Sequence, residues 1–179
     1  MEDFGRSFID TSIKVFRLYK KEAESAIAQL DDTQLFTAPS PESNSVAVIV
    51  KHLWGNMLSR WTDFLTTDGE KDWRDRDSEF EITDNTTREE LMKKWEEGWE
   101  CMFKALEPLT PADLGHKVYI RGEEYTVIKA IQRQLAHYSS HIGQIVYVAK
   151  MLKGKDWKTL SIPKGESHLF NEKMFGKKQ

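Results

Sequence analysis

Apolar residues recur at three-and-four spacing in four long stretches of the chain, and each stretch predicts an amphipathic helix. In the first, Phe8, Ile9, Ile13, Phe16, Tyr19, Ala23, Ile27 and Leu30 line one face between lysines, glutamates and glutamines. The segment DDTQLFTAPSPESNS breaks that period with two prolines and a polar cluster, so a loop is expected there. Ser43, Asn44 and Ser45 offer short side-chain oxygens to the unpaired first-turn N–H groups of a second helix. That helix turns Val46, Ile49, Val50, Leu53, Met57, Trp61 and Phe64 inward and should fade near TTDGEKD.

The connection GEKDWRDRDSEFEITDNTT is long for a small helical protein, and loops of that length are more often functional or disordered than neutral spacers. Thr87 followed by Glu90 makes a capping box and opens a third helix, with Leu91, Trp95, Trp99, Met102 and Leu106 on one stripe. EPLTPADLG ends it. KVYIRGEEYTV then alternates like a short β-hairpin around Gly122, with a loop as the competing reading. Thr126 stands where it can cap the fourth helix. Ile128, Ile131, Leu135, Tyr138, Ile142, Ile145, Ala149 and Leu152 give that helix the most regular seam, and Gly154 ends it at a C-cap position. The tail DWKTLSIPKGESHLFNEKMFGKKQ has no period but carries Trp157, Leu160, Ile162 and Phe170, so it is expected to drape irregularly over the helices. The sum is an all-α protein, a four-helix bundle formed as one domain by residues 1–179.

Composition narrows the function classes. A net charge of −3 and a pI near 6.0 argue against nucleic-acid binding, which favours a basic stripe. No run approaches the ~20 apolar residues of a membrane span. The start MEDFGRSFID lacks the layout of a signal peptide, and Cys101 is the single cysteine, so a reducing, cytoplasmic location is expected. Cys101 lies between Trp99 and Met102, away from any visible base, and reads as a packing residue. Trp54, Trp61, Trp95 and Trp99 sit on helical stripes and read as filler of the core and of a subunit interface.

The chemistry concentrates in QLAHYSSHIG, residues 134–143. Four helical residues turn through about 400°, which stacks His137 and His141 one turn apart on one face. They belong to a second stripe, Val127, Ala130, Gln134, His137, His141, Gln144 and Val148, apolar at both ends and polar in the middle. Two readings stand: core histidines satisfied by neighbours, or two ligands of one cation. A metal needs a third donor from elsewhere, and His52, well inside the second helix, could supply it. Three imidazoles with an open position are the layout of catalytic rather than structural zinc. His116 and His168 read as surface residues. Asn56 and Gln144 could orient a ligand or cap local hydrogen bonds. Arg74 and Arg76 alternate with Asp75 and Asp77, and either pair with them locally or turn toward the site to grip a carboxylate. Arg60 reads as solvated, and no carboxylate stands at a general-base spacing beside the triad.

SNSVAVIVKHLWGNM, WRDRDSEFE, YTVIKAIQRQLAHYSSHIGQIVYVAKML and SIPKGES together resemble the DinB superfamily, the DinB/YfiT-like metalloenzymes, in an uncharacterised bacterial branch. The similarity spans nearly the whole chain, with HxxxHxGQI as its most specific element. The resemblance implies an up-down-down-up bundle and a divalent metal, zinc or nickel, held by His52, His137 and His141. It also implies a low-molecular-weight thiol, whether bacillithiol, mycothiol or glutathione, since characterised relatives include thiol-dependent transferases and isomerases. The resemblance further implies a homodimer, which the aromatic content of the helical stripes suits. The tail SIPKGES is expected near the open end of the site. The leading expectation is a metal-dependent S-transferase acting on small electrophiles in detoxification or stress. A non-catalytic metal- or ligand-binding stress protein stands second, and a metal-dependent hydrolase third.

Overall fold

The computed structural model describes residues 2–83 and 85–176, so Asp84 of the long connection and residues 177–179 of the tail lie outside the described residues. The chain is mostly helical. In order come α1 (Glu2–Ile27), the short α2 (Asp32–Phe36), α3 (Val46–Trp61) and α4 (Arg88–Leu106). A two-stranded sheet of β1 (Lys117–Ile120) and β2 (Glu123–Thr126) leads directly into α5 (Val127–Lys153), and a short α6 (Ser167–Phe175) follows. The four predicted helices are α1, α3, α4 and α5.

Their ends follow the predicted chemistry. Ser45 Oγ accepts the Val48 N–H at 3.2 Å to start α3. At α4, Glu90 N–H donates to Thr87 Oγ1 at 3.2 Å while the Thr87 N–H donates to Glu90 Oε2 at 3.1 Å, a reciprocal capping box. Thr126 Oγ1 accepts from Lys129 N–H at 3.4 Å at the start of α5, and Gly154, at φ 59°, ends it. Two helices were not foreseen. α2 sits inside the stretch expected to be a loop, started by its own capping box between Asp31 and Gln34. α6 occupies the aperiodic tail.

The long helices share one apolar cluster. α3 lies along α4, α1 lies along α5, and α3 also meets α5. Trp95, Trp99, Tyr138, Phe16 and Leu53 are sealed within it. Gly98 lets α3 and α4 approach closely, because a Cβ there would stand 3.3 Å from the Trp54 Cα. Trp54 itself is half-buried at that seam, its indole N–H donating to Glu97 at 2.8 Å, so of the four tryptophans read as filler it alone stays outside the core.

The hairpin is present, with Lys117 opposite Thr126 and Ile120 opposite Glu123. Its two turn residues, Arg121 and Gly122, both take positive φ, 57° and 74°, as a tight antiparallel hairpin with the usual strand twist demands. Asp68 clamps this turn to the end of the α3 segment: its carboxylate accepts the N–H groups of Arg121 at 2.8 Å, Gly122 at 2.7 Å and Glu70 at 2.7 Å. Burial pushes the Asp68 carboxyl up, but these three donors outweigh it and hold its pKa below the usual range.

The tail departs from expectation in part. Trp157 and Leu160 pack on the core, and Gln29 ties down Lys158 through hydrogen bonds of 2.9 and 2.8 Å to its main chain. Beyond Leu160 every described residue is exposed, Ile162 and Phe170 included, so that part does not drape over the helices. Leu53→Ala, at a fully buried site on α3, should lower unfolding free energy by about 2–5 kcal/mol. Leu18→Ala, on the exposed face of α1, should change it by under ~0.5 kcal/mol. Urea denaturation of the two variants checks the pair.

Candidate metal centre

Two helices bring three imidazoles together. α3 contributes His52, buried one turn before Asn56, and α5 contributes His137 and His141 on successive turns. One ring nitrogen from each lies within 4.8 Å of the others, among the described residues the set suited to a metal ion. The Nε2 atoms of His137 and His141 are 3.1 Å apart. Two nitrogens bound to one ion at ~2.0–2.1 Å stand about 3.0 Å apart at a right angle and about 3.3 Å at a tetrahedral one, so this pair is at coordinating separation. The His52 ring stands edge-on to both, with centroids 4.8 Å from His141 and 5.6 Å from His137.

The outward nitrogens show why the inward ones are free. His52 Nδ1 donates to Glu79 Oε2 at 2.8 Å, which leaves its Nε2 lone pair facing the other rings. His141 Nδ1 donates to Gln144 Oε1 at 2.8 Å with the same result. His137 Nδ1 is buried without a partner among the described residues. Burial, followed by the charges of His141 and His52, pushes His137 down to about 3, and burial likewise lowers His141. Both rings are therefore neutral at physiological pH, the state in which an imidazole donates to a metal. This donor set fits a divalent cation, with one face of the triad open.

Glu79 holds the arrangement in place. The 3-10 turn Asp77–Phe80 carries its carboxylate to the His52 ring, where it also accepts Arg74 Nε at 2.7 Å and Arg74 Nη2 at 3.1 Å. All three side chains are nearly inaccessible to solvent. Burial pushes the Glu79 carboxyl up, yet the bonds from His52 and Arg74 prevail and lower its pKa. The carboxylate lies directly against Gly55, where any Cβ would collide with it. Phe80, next in the chain, stacks on the outer face of His52 with centroids 5.1 Å apart.

A cavity of about 310 Å³ opens beside the triad, lined further by Asn56, Phe80 and the arginines at 60, 74, 76, 121 and 133. Asn56 faces it from a buried network in which its Oδ1 accepts from Gln134 Nε2 at 3.0 Å and Tyr138 Oη at 3.1 Å. Tyr138 Oη in turn accepts the Trp61 indole N–H at 3.0 Å.

Of the residues singled out by sequence, His52, His137, His141, Asn56, Arg74 and Arg76 meet at this cavity, and Gln144 anchors His141 from outside it. Arg74 pairs with Glu79 and Glu70 rather than with its aspartate neighbours. Three expectations are corrected. Arg60 is not solvated: it is 4% exposed, and it donates to the Gly69 carbonyl and to Glu70. SIPKGES lies exposed and lines no part of the cavity, because nothing apolar anchors the chain after Leu160. A carboxylate does stand beside the triad, Glu79, carried there by a loop rather than by helical spacing. Cys101 is half-buried, its thiol pushed up by burial and absent from the cavity lining, as a packing residue should be.

Gly55→Ala should displace Glu79 and weaken metal binding roughly 10–100-fold while every ligand is retained, measured as metal affinity by competition with a chelator. The metal-free protein should also lose stability as pH falls. Between about 3 and 6.5 the unfolded chain protonates His137 while the folded one does not. Glu79 acts in the same direction below its ordinary value of 4.5. Thermal melts of chelator-treated protein from pH 7 to pH 4 check this.

Comparison with curated proteins gives no match. Residues 3–166, including all three histidines, Glu79 and the arginines of the cavity, match a family described as a protein of unknown function, DUF1572. With that much of its length covered, the chain belongs to the DUF1572 family.

Proposed function

We propose that this chain is a divalent-metal-dependent enzyme of the DinB/YfiT type, an up-down-down-up four-helix bundle that joins a small thiol through its sulfur to a small electrophile. The observation that carries the reading is the open set of three neutral imidazoles against a cavity whose lining, among the described residues, includes no serine, threonine, cysteine or lysine. His52, His137 and His141 would hold zinc or nickel. The ion, when bound, supplies a positive centre that lowers the pKa of a thiol in its open position.

The side chains divide the remaining work. Glu79 fixes the His52 ring and its tautomer, and Gln144 does the same for His141. Phe80 stacks on the His52 ring and helps hold its orientation. Asn56, with its oxygen committed to Gln134 and Tyr138, keeps its amide hydrogens available to the cavity. In the net reaction the thiol S–H bond breaks and its proton passes to solvent. A C–S bond forms as the bond from carbon to the leaving group breaks, and the leaving group departs with its electron pair. Hydrolysis is less well supported: both Glu79 oxygens are engaged by His52 and Arg74, so this carboxylate beside the triad is not free to take a proton from water.

Protein loaded with zinc or nickel, incubated with bacillithiol, mycothiol or glutathione and a chlorinated or epoxide electrophile, should consume one of these thiols. His52→Ala should lower that rate about 100-fold or more and should reduce bound metal below one equivalent. Loss of thiol followed by mass spectrometry of the adduct is the readout. No turnover with any thiol, alongside full metal occupancy, would leave a metal-binding protein without this activity.

A further inference from the structure

The wall of the cavity carries an uneven charge. Five guanidinium groups line it, at residues 60, 74, 76, 121 and 133, and among the described residues the carboxylates paired with them are Glu70 and Glu79. Glu79 is committed to Arg74 and His52. Glu70 is divided among Arg121 at 2.9 Å, Arg60 at 3.2 Å and Arg74 at 3.5 Å.

Two arginines are left over. Among the described residues no carboxylate pairs with Arg76, whose guanidinium lies over the Phe80 ring at 5.1 Å from its centroid. Among the described residues Arg133 reaches the side-chain oxygen of its neighbour Gln134, at 3.3 Å, and no carboxylate. Both are exposed, so their donors can meet an incoming molecule. A third sign lies deeper. Arg60 is buried, yet its Nε–H has no partner among the described residues. Burial, followed by the charge of Arg74, holds Arg60 below its ordinary value despite the opposing pull of Glu70.

We propose that the cavity beside the three histidines binds a small molecule through an oxyanion group, carboxylate or phosphate, gripped by Arg76 and Arg133. The planar guanidinium fork matches such a group in two parallel charge-assisted hydrogen bonds, and Arg60 and Arg121 add attraction from behind. The oxyanion is thereby held within the cavity that the three imidazoles also line. This rests on the same cavity as the proposed function and gives its substrate or thiol a chemical class: anionic and small enough for about 310 Å³.

The test titrates succinate, inorganic phosphate and uncharged succinamide into the protein as purified, by calorimetry, with metal content measured on the same samples. Succinate or phosphate should bind, and whichever binds more tightly identifies the oxyanion. Succinamide should bind at least tenfold more weakly. R76Q/R133Q should lose at least tenfold in affinity for the anion with metal content unchanged, whereas K14Q/K150Q, which removes the same charge from exposed positions on α1 and α5, should not. Equal binding of succinate and succinamide, anion binding unaltered in R76Q/R133Q, or an equal loss in K14Q/K150Q would each overturn the proposal. Failure of the metal reading would show separately, as wild-type protein that carries no metal whatever the anions do.

Discussion

A single buried carboxylate organises this molecule's chemistry. Glu79 lies between a guanidinium and an imidazole, out of reach of water, against a helix that has no side chain at the point of contact. Each partner depends on the others. Without Glu79, Arg74 would be a buried charge with little but a shared Glu70 to answer it, a situation that costs about 3–5 kcal/mol. Without Arg74, the carboxylate would have reason to take up a proton and release the ring. The loop between α3 and α4 is therefore no slack connection; its ionic core is what turns the His52 ring toward α5.

The polar middle of the second α5 stripe has two separate causes. His137 and His141 belong to the triad. Gln134, one turn earlier, belongs to the network with Asn56, Tyr138 and Trp61, which joins α3 to α5 through hydrogen bonds inside the core. Buried polar groups are tolerable only when mutually satisfied, and this network satisfies them while setting the axial register of the two helices. Register matters here because a slip of one residue would carry His52 around α3 by about 100°. The hydrogen bonds that look structural are thus the ones that aim the imidazoles.

Much of this was legible in the sequence. Periodicity located α1, α3, α4 and α5, and Ser45, Thr87, Thr126 and Gly154 marked their ends because capping is a local matter of short side chains and nearby N–H groups. Alternation around Gly122 pointed to the hairpin, with a loop as the competing reading, and the hairpin is present. The i,i+4 spacing of His137 and His141 showed that they share a face. What escaped was non-local or too short to have a period. α2 spans only five residues, and its apolar pair Leu35 and Phe36 gives no stripe. Glu79 reaches His52 across a loop, and nothing in SEFE distinguishes a buried carboxylate from a solvated one. Arg60 was misread because its partners, the Gly69 carbonyl and Glu70, arrive by a turn of the backbone that no spacing rule anticipates.

The hairpin turn has a consequence of its own. Arg121 is not glycine, yet it holds φ 57°, a left-handed conformation that disfavours an ordinary side chain by roughly 1–2 kcal/mol. Asparagine or glycine would sit there more comfortably, and either would remove a positive charge from the cavity rim. The three N–H groups gathered by Asp68 keep the turn in that shape. A small conformational burden is thus carried in a turn outside the helices that hold the histidines, and what it sustains is the electrostatic character of their entrance.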